Sequence, residues 1–365
     1  MTQRRTQYNP NNNAQRPRNS AEGRGRRTTI KVLTSIICVF LVVLIGTGTY
    51  ALVLYNRMKN DPTSFFTHNP DPIYTPVTGE EEHVFRPTIR VETEEGNELT
   101  GVYDEKIINF AILGVDTASF RSIADTGYQS DVMILVSYNT TKERISMISI
   151  PRDTKAKIRK LDSSGNPTGT ITTKINAAYS YGGGRTKYSY NNACHAMSQF
   201  LGGIPVQHFI GLDMDGVPRI VDSVGGVEMT LDYSFTSVDS SMTKGKTMRL
   251  NGKQALTYVR ERKLSGMDGS DTARVLRQQR FLKAFAAEVK QQNVDVLLNQ
   301  VYPSVAAALD TNMNLEQLGA LLMLLNGYDL ETMDMYSVPG HWDGTYWVAN
   351  QKEMDAIIYK VFYEE

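Results

Sequence analysis

The hydrophobic pattern of this chain has one long apolar run followed by a series of short ones. Val32–Asn56 reads VLTSIICVFLVVLIGTGTYALVLYN, 25 residues without a charge. As a helix at about 1.5 Å per residue it reaches roughly 37 Å, enough to cross a hydrocarbon core of about 30 Å with some tilt. A cleaved secretory signal has a shorter apolar stretch, so an uncleaved transmembrane helix is expected over 32–56. Further on, Ile107–Val115 (IINFAILGV), Val132–Tyr138 and Arg144–Ile150 are rich in β-branched residues and bounded by turn formers, and read as strands. More strands fit His208–Asp213, Val227–Asp232 and Thr332–Val338. Helical spacing marks Asn192–Leu201, Met214–Ser223, Thr272–Gln291 and Leu315–Leu325, with Val348–Phe362 as a closing helix. The alternation predicts an α/β fold: a single three-layer domain with a central mixed β-sheet flanked by helices, preceded by one transmembrane helix.

Charge refines this picture. The chain holds 39 basic and 39 acidic residues, of which eight basic and one acidic fall within 1–56. The remainder therefore carries 31 basic and 38 acidic residues, a net charge of −7. That excludes the basic footprint of a nucleic-acid reader, and no specific nucleic-acid partner is expected. The arginines cluster ahead of the apolar run, so the positive-inside bias places the N-terminus in the cytoplasm and the bulk outside a cell membrane crossed once. Residues 1–29 are polar and poor in large aliphatics, which predicts disorder. The expected organisation is a cytoplasmic disordered basic tail (1–31), a transmembrane helix (32–56), an extracellular stalk with an edge segment (57–103) and one folded domain (104–365). Of the two cysteines, Cys38 falls in the span and Cys194 stands alone beyond it, so neither a disulfide nor a cysteine zinc site is expected. Cys194, His195, His208 and His341 read as core or surface residues.

The densest chemistry lies in Tyr258-Val259-Arg260-Glu261-Arg262 and in Asp271-Thr272-Ala273-Arg274-Val275-Leu276-Arg277-Gln278-Gln279-Arg280. In an extended strand Arg260 and Arg262 point the same way; in a helix Asp271, Arg274 and Gln278 share a face. Converging guanidinium groups suit phosphate or pyrophosphate, because each planar fork binds two oxygens. A solvated helix face with ordinary salt bridges would use the same residue types. Polar residues also mark strand ends, where open α/β sheets bind ligands. Asp116 follows the first strand, Asp131 opens the second, Arg152 follows the third, and Lys174 begins Lys174-Ile175-Asn176-Ala177-Ala178-Tyr179. Two carboxylates, Asp116 and Asp131, suit a hard cation such as Mg2+ (or Mn2+), which takes one or two carboxylates plus phosphate oxygens. Each is also an ordinary turn or cap residue.

Taken in order, ILGVD, SDVMILVSYN, ISIPRDT, KINAAYSYGG, GLDMDGVPRIVDSVGGV, LNGKQALTYVRER and DTARVLRQQR resemble the LytR-CpsA-Psr family of membrane-anchored cell-envelope phosphotransferases. The resemblance runs from about Ile107 to Val289. It implies transfer of a glycopolymer from a polyprenyl-pyrophosphate carrier onto peptidoglycan, at a muramic acid hydroxyl, through a phosphodiester. It implies Asp116 and Asp131 as magnesium ligands, and Arg152, Lys174, Arg260, Arg262, Arg274 and Gln278 as the pyrophosphate set. Asp131, Arg152, Arg260, Arg262 and Asp271 would form the catalytic set, Asp271 either orienting the arginines or assisting proton transfer. The implied partners are the polyprenyl-pyrophosphate-linked glycan, peptidoglycan and membrane lipid. The lipid calls for an apolar tunnel, which Phe281, Leu282, Phe285 and Val289 would line unless they are plain core. This chain departs from the family pattern at Gln129, where an arginine usually stands, and in a longer spacing between Arg262 and Asp271. Two readings from other classes remain. One is a non-catalytic lipid-pyrophosphate or glycan-binding envelope protein. The other is a membrane-linked transcriptional attenuator, for which the N-terminal tail is too short and polar to fold into a DNA reader.

Overall fold

The computed structural model describes residues 49–66, 86–92, 96, 98–116, 128–184, 186–261 and 271–364, the side chains of Lys187 and Asp271 excepted. The chain divides into two units, Met1–Arg57 and Met58–Glu365, and the second carries the fold. Residues 49–60 are helical (α1). The tail 1–31 and residues 32–48 of the expected span lie outside the described residues. Among those described, no helix is long and apolar enough to cross a membrane.

Strands β1 (Thr88–Glu92) and β2 (Glu98–Val102) pair as a hairpin within the 57–103 segment. The three expected apolar runs then form an antiparallel meander, β3 (Ile107–Asp116), β4 (Gln129–Asn139) and β5 (Arg144–Ser149). A second hairpin, β6 (Lys155–Leu161) with β7 (Pro167–Lys174), leads into α2 (Ala178–Tyr181) and α3 (Lys187–Phe200). Next come β8 (His208–Asp213), α4 (Val217–Ser223) and the paired β9 (Val227–Thr230) and β10 (Thr247–Leu250). Helices α5 (Gly252–Arg260) and α6 (Asp271–Gln291) follow, then the short α7 (Val294–Val296) and α8 (Tyr302–Val305). The chain closes through β11 (Leu309–Thr311), α9 (Leu315–Gly327), β12 (Asp334–Ser337), the hairpin β13 (Gly340–Trp342) and β14 (Trp347–Ala349), and α10 (Gln351–Phe362).

Six strands build the central sheet in the order β11-β8-β3-β4-β5-β12. β3 with β8 and β5 with β12 are parallel, and the other neighbours are antiparallel, so the sheet is mixed. One consequence matters for function. The C-terminal ends of β3, β5, β8 and β12 reach the same edge, and β4 starts there.

The sheet is apolar on both faces, as near-continuous hydrophobic strands require. Ala111, Leu113, Val115, Met133, Leu135 and Ile148 meet α2, α3 and α10 in the main core. Phe110, Ile112, Ile134, Val136 and Met147 face the side covered by α4, α6 and α9.

Two expectations need correction. Tyr258–Arg260 is the end of a helix rather than an extended strand. Asn251 starts that helix with a capping box: its side chain accepts from Gln254 N at 3.0 Å, and Gln254 Oε1 accepts from Asn251 N at 3.1 Å. The closing helix starts at Gln351 rather than Val348, because Trp347–Ala349 is taken up by pairing with β13. The hairpins β6–β7 and β13–β14 escaped the sequence reading. β6 and β7 are rich in Lys and Thr, and β13 and β14 have three residues each, so neither pair shows the apolar runs that marked the central sheet.

Gly252 lets α5 touch the α4 segment. A Cβ there would lie 2.1 Å from the Pro218 carbonyl oxygen and 2.4 Å from Pro218 Cα, backbone atoms that cannot swing aside. Gly252→Ala is therefore expected to cost about 1–3 kcal/mol of stability, read as a lower melting temperature of the full chain.

Candidate active site

The polar edge is set by a fault in strand pairing. Gly114 pairs with Val132, but Val115 pairs with Ser130, so Asp131 is an extra, bulged residue in β4. A bulge re-aims its side chain out of the regular alternation. Asp131 Oδ2 lies 2.9 Å from Arg152 Nη1, in the turn after β5. Arg152 Nε is 3.6 Å from Asp153 Oδ2, and Asp153 Oδ1 is 2.9 Å from Lys174 Nζ. Lys174 ends β7, and the hairpin register pairs it with Lys155, which returns it beside the loop that β6 left.

Asp116 ends β3 and is buried. Its Oδ1 lies 2.8 Å from Arg260 Nη2, while Arg260 Nη1 is 3.5 Å from Asp215 Oδ1. Arg260 keeps 38% of its side chain exposed against a carboxylate only 6% exposed, so the pair has one dry and one wet side.

Arg260 is the last residue of α5, where helix carbonyls lack intrahelical partners. Side chains of α6 fill that need. Arg277 donates from Nε to Tyr258 O at 3.2 Å and from Nη2 to Glu261 O at 2.5 Å, and Gln278 Nε2 donates to Val259 O at 3.3 Å. Arg277 is fully buried, with its guanidinium over the Tyr233 ring at 5.6 Å, and burial lowers its pKa. Its positive charge also suits the negative end of the α5 dipole.

Of the residues singled out from the sequence, Asp116, Asp131, Arg152, Lys174 and Arg260 stand along this edge. Gln278 spends its amide on Val259, and Arg274 is buried one turn earlier on α6. Arg262 and the side chain of Asp271 lie outside the described residues. Gln129 Oε1 accepts from Asn176 Nδ2 at 3.2 Å. Arg277 was missed as a positioning residue. The signal that could have found it is the Asn251–Gln254 capping box, which announces a helix whose C-terminus needs donors.

The two carboxylates fit a divalent cation. Asp131 Oδ1 is buried with no hydrogen-bond partner, an anionic oxygen lacking the donor that burial normally demands. Among the described residues no group of three or more His, Cys, Asp or Glu side chains gathers to hold a metal. Magnesium takes one or two carboxylates and leaves its other positions to water and phosphate oxygens, so Asp116 and Asp131 are the residues that could hold it.

His195, His208 and Cys194 take structural places in the interior, while His341 is exposed on β13. Burial lowers the His195 pKa to about 3, with Arg159 adding to the effect, and lowers that of His208 to about 4. His208 clusters with Phe66 and Phe110, ring centroids 5.4 and 5.5 Å from its own, and those two rings are 5.4 Å apart. Cys194 is fully buried and its thiol pKa is pushed up.

Behind the polar edge lies a cavity of about 390 Å³ between the sheet and α4, α6 and α9. Gly114, Val132, Val259 and Gln278 line it where it nears Asp116, Asp131 and Arg260, and Phe281, Leu282, Phe285 and Val289 line it further in. These four side chains line the chamber, and Phe281 and Phe285 also pack against the neighbouring core.

Fold and site together define an α/β protein whose charged sheet edge backs onto an apolar chamber. The profile of the LytR_cpsA_psr family matches residues 78–362, and the chain belongs to that family. It is 29% identical over 246 residues to the polyisoprenyl-teichoic acid–peptidoglycan teichoic acid transferase TagV of Bacillus subtilis, a match covering 66% of this chain and 59% of that protein. It is 27% identical over 344 residues to biofilm regulatory protein A of Streptococcus mutans, covering 89% of this chain and 74% of that protein. The crystal structure of B. subtilis TagV shares the fold, with a TM-score of 0.57 at 24% identity over 71% of this chain and 96% of that one.

Two outcomes are expected. Arg277→Met, which removes the donors to Tyr258 and Glu261, costs about 2–3 kcal/mol in denaturant unfolding. The second concerns pH. His208 stays neutral in the folded state down to about pH 4, while the unfolded chain takes up the proton near the ordinary value of 6.5. The unfolded state then binds more protons between those values, so stability is lost as pH falls from 6.5 toward 4 and the loss levels off below. Comparing His208→Leu with the parent chain over this range should remove a slope worth on the order of 2–3 kcal/mol.

Proposed function

We propose that this chain is a membrane-anchored phosphotransferase that moves a glycopolymer from a polyprenyl-pyrophosphate carrier onto peptidoglycan. The product is a phosphodiester to a muramic acid hydroxyl. One observation carries the reading: an apolar chamber of about 390 Å³ is lined by Gly114, Val132 and Val259, whose chain neighbours Asp116, Asp131 and Arg260 belong to the row of paired aspartate, arginine and lysine side chains. A polyprenyl tail needs the first and a pyrophosphate needs the second. The volume lies within the range of about 300–1,000 Å³ usual for ligand sites. The activity in the name of the TagV relative supports the same reading. The 32–56 run, acting as the anchor, would hold the site outside the membrane, the side where peptidoglycan lies.

The chemistry follows from the residue types. The acceptor hydroxyl oxygen bonds to the polymer-side phosphorus, and the bridging P–O bond breaks. Its electron pair leaves with polyprenyl phosphate, whose new oxygen can take up the hydroxyl proton. Charge builds on the non-bridging and leaving oxygens, and Arg152, Arg260 and Lys174 hold those oxygens with fixed cationic donors. Asp116 and Asp131 would hold a magnesium ion, which would supply Lewis-acid polarisation of the phosphoryl group. Asp116 and Asp131 also keep Arg260 and Arg152 in place before substrate arrives, so little reorganisation is needed on binding.

The test is release of polyprenyl phosphate from a lipid-pyrophosphate glycan by the full chain in bilayers, with peptidoglycan and Mg2+. Arg260→Ala and Asp131→Ala should each slow it by about 10- to 1,000-fold, and chelation should abolish it. Binding of the lipid without turnover by the parent chain would instead identify a non-catalytic carrier-binding protein.

A further inference from the structure

The β13–β14 hairpin stands at the same edge because β12 runs parallel to β5 and delivers it there. It is fastened to the loop that carries Arg152. Trp347 N donates to Asp153 O at 3.0 Å, Thr154 forms a parallel bridge to Trp347, and Trp347 Nε1 donates to Val338 O at 3.2 Å. The tip is equally fixed. Asp343 Oδ1 accepts from Thr345 N at 2.8 Å and Tyr346 N at 2.7 Å, and Gly344 takes a φ of 101° that only glycine adopts without strain. This rigid support holds Trp342 with 52% of its surface exposed. Half of this indole faces water at a fixed position, and such a ring offers a ligand both apolar area and a π face. The Lys174 ammonium lies 5.7 Å from the centre of the Trp342 ring, and the same nitrogen is 2.9 Å from Asp153 Oδ1. An aromatic plane therefore stands one cation away from the Arg152–Asp131 pair.

We propose that Trp342 is the platform on which the sugar ring joined to the transferred phosphate stacks. The inference rests on the phosphotransferase reading and deepens it by placing a specificity determinant. A pyranose ring presents an apolar C–H face, slightly positive, which complements the negative face of an indole. Its linked phosphate suits Lys174, which sits between the ring and the arginines. The donor sugar is the occupant because it is covalently next to the phosphate those cations hold. Trp342 thereby sets which polymer is accepted, while the chamber holds a lipid common to many.

The chain has two tryptophans, Trp342 and Trp347, so tryptophan fluorescence reads this hairpin alone. N-acetylglucosamine 1-phosphate titrated into the full chain with Mg2+ should change the emission saturably, and inorganic pyrophosphate should not. The change should vanish in Trp342→Phe, which retains Trp347 as an internal control of folding. In the transfer assay, Trp342→Ala should raise the donor KM about threefold to tenfold with kcat nearly unchanged, and Trp342→Phe should recover most of the loss. The proposal is overturned if pyrophosphate gives the same signal, or if Trp342→Phe keeps it. It is equally overturned if anionic vesicles alone produce the signal, or if the KM for peptidoglycan rises in place of the donor KM. A sugar-phosphate signal in a chain that transfers nothing would sink the phosphotransferase reading and leave the platform standing. Transfer with an unchanged donor KM in Trp342→Ala would sink the platform alone.

Discussion

A sheet covered on both faces has nowhere to put charge except at its ends. In this protein the main core takes one face and the helices around the apolar chamber take the other. The charged residues of the central strands therefore sit at strand ends: Asp116 and Asp131 where β3, β5, β8 and β12 finish, and the Arg144–Asp334 pair at the opposite end. Burying a carboxylate mid-strand would cost several kcal/mol unless it were paired, whereas at the strand end water and loop cations are in reach. Asp116, Asp131 and Arg152 lie together for that reason.

Opposite charges then hold the edge in order. Asp116 with Arg260 and Asp131 with Arg152 each join a residue of the sheet to one of a following turn or helix. The Arg260 arm depends on more than its own carboxylate, because it leaves from the C-terminus of α5. That terminus is closed by Arg277 and Gln278, which reach across from α6 to its free carbonyls. The donors are part of the scaffold, and the exposed guanidinium is the part available to a ligand. A cluster of similar residues in one stretch of sequence thus divides into supports and working groups.

The chamber shows the same division of labour. Gly114 sits where the sheet meets the polar edge, and a Cβ there would come within 2.8 Å of Val132 Cγ2. Phe281 and Phe285, stacked with centroids 6.3 Å apart, line the wall from α6. One helix therefore supplies a lining to the chamber and caps to α5. The relation between apolar space and charged edge is built into the packing of a few elements.

Much of this was legible in the order of residues. The apolar runs of β3 to β5 announce themselves by β-branched content, and α6 and α9 by helical spacing, because burial selects side chains directly. Asp116, Asp131 and Arg152 stand out as polar residues punctuating those runs. Only the tertiary structure decided the rest. The bulge that re-aims Asp131 arises from pairing between two strands and leaves no local mark. Whether Gln278 faces a ligand or a helix end depends on where α5 stops relative to α6. Phe281 and Phe285 have the spacing of a core helix whether or not space remains beside them. Trp342 lies in a polar hairpin with no periodic signal, and it joins Lys174 only because β12 runs parallel to β5. Local propensity and burial are written along the chain; contacts between segments far apart in it appear only when the sheet is assembled.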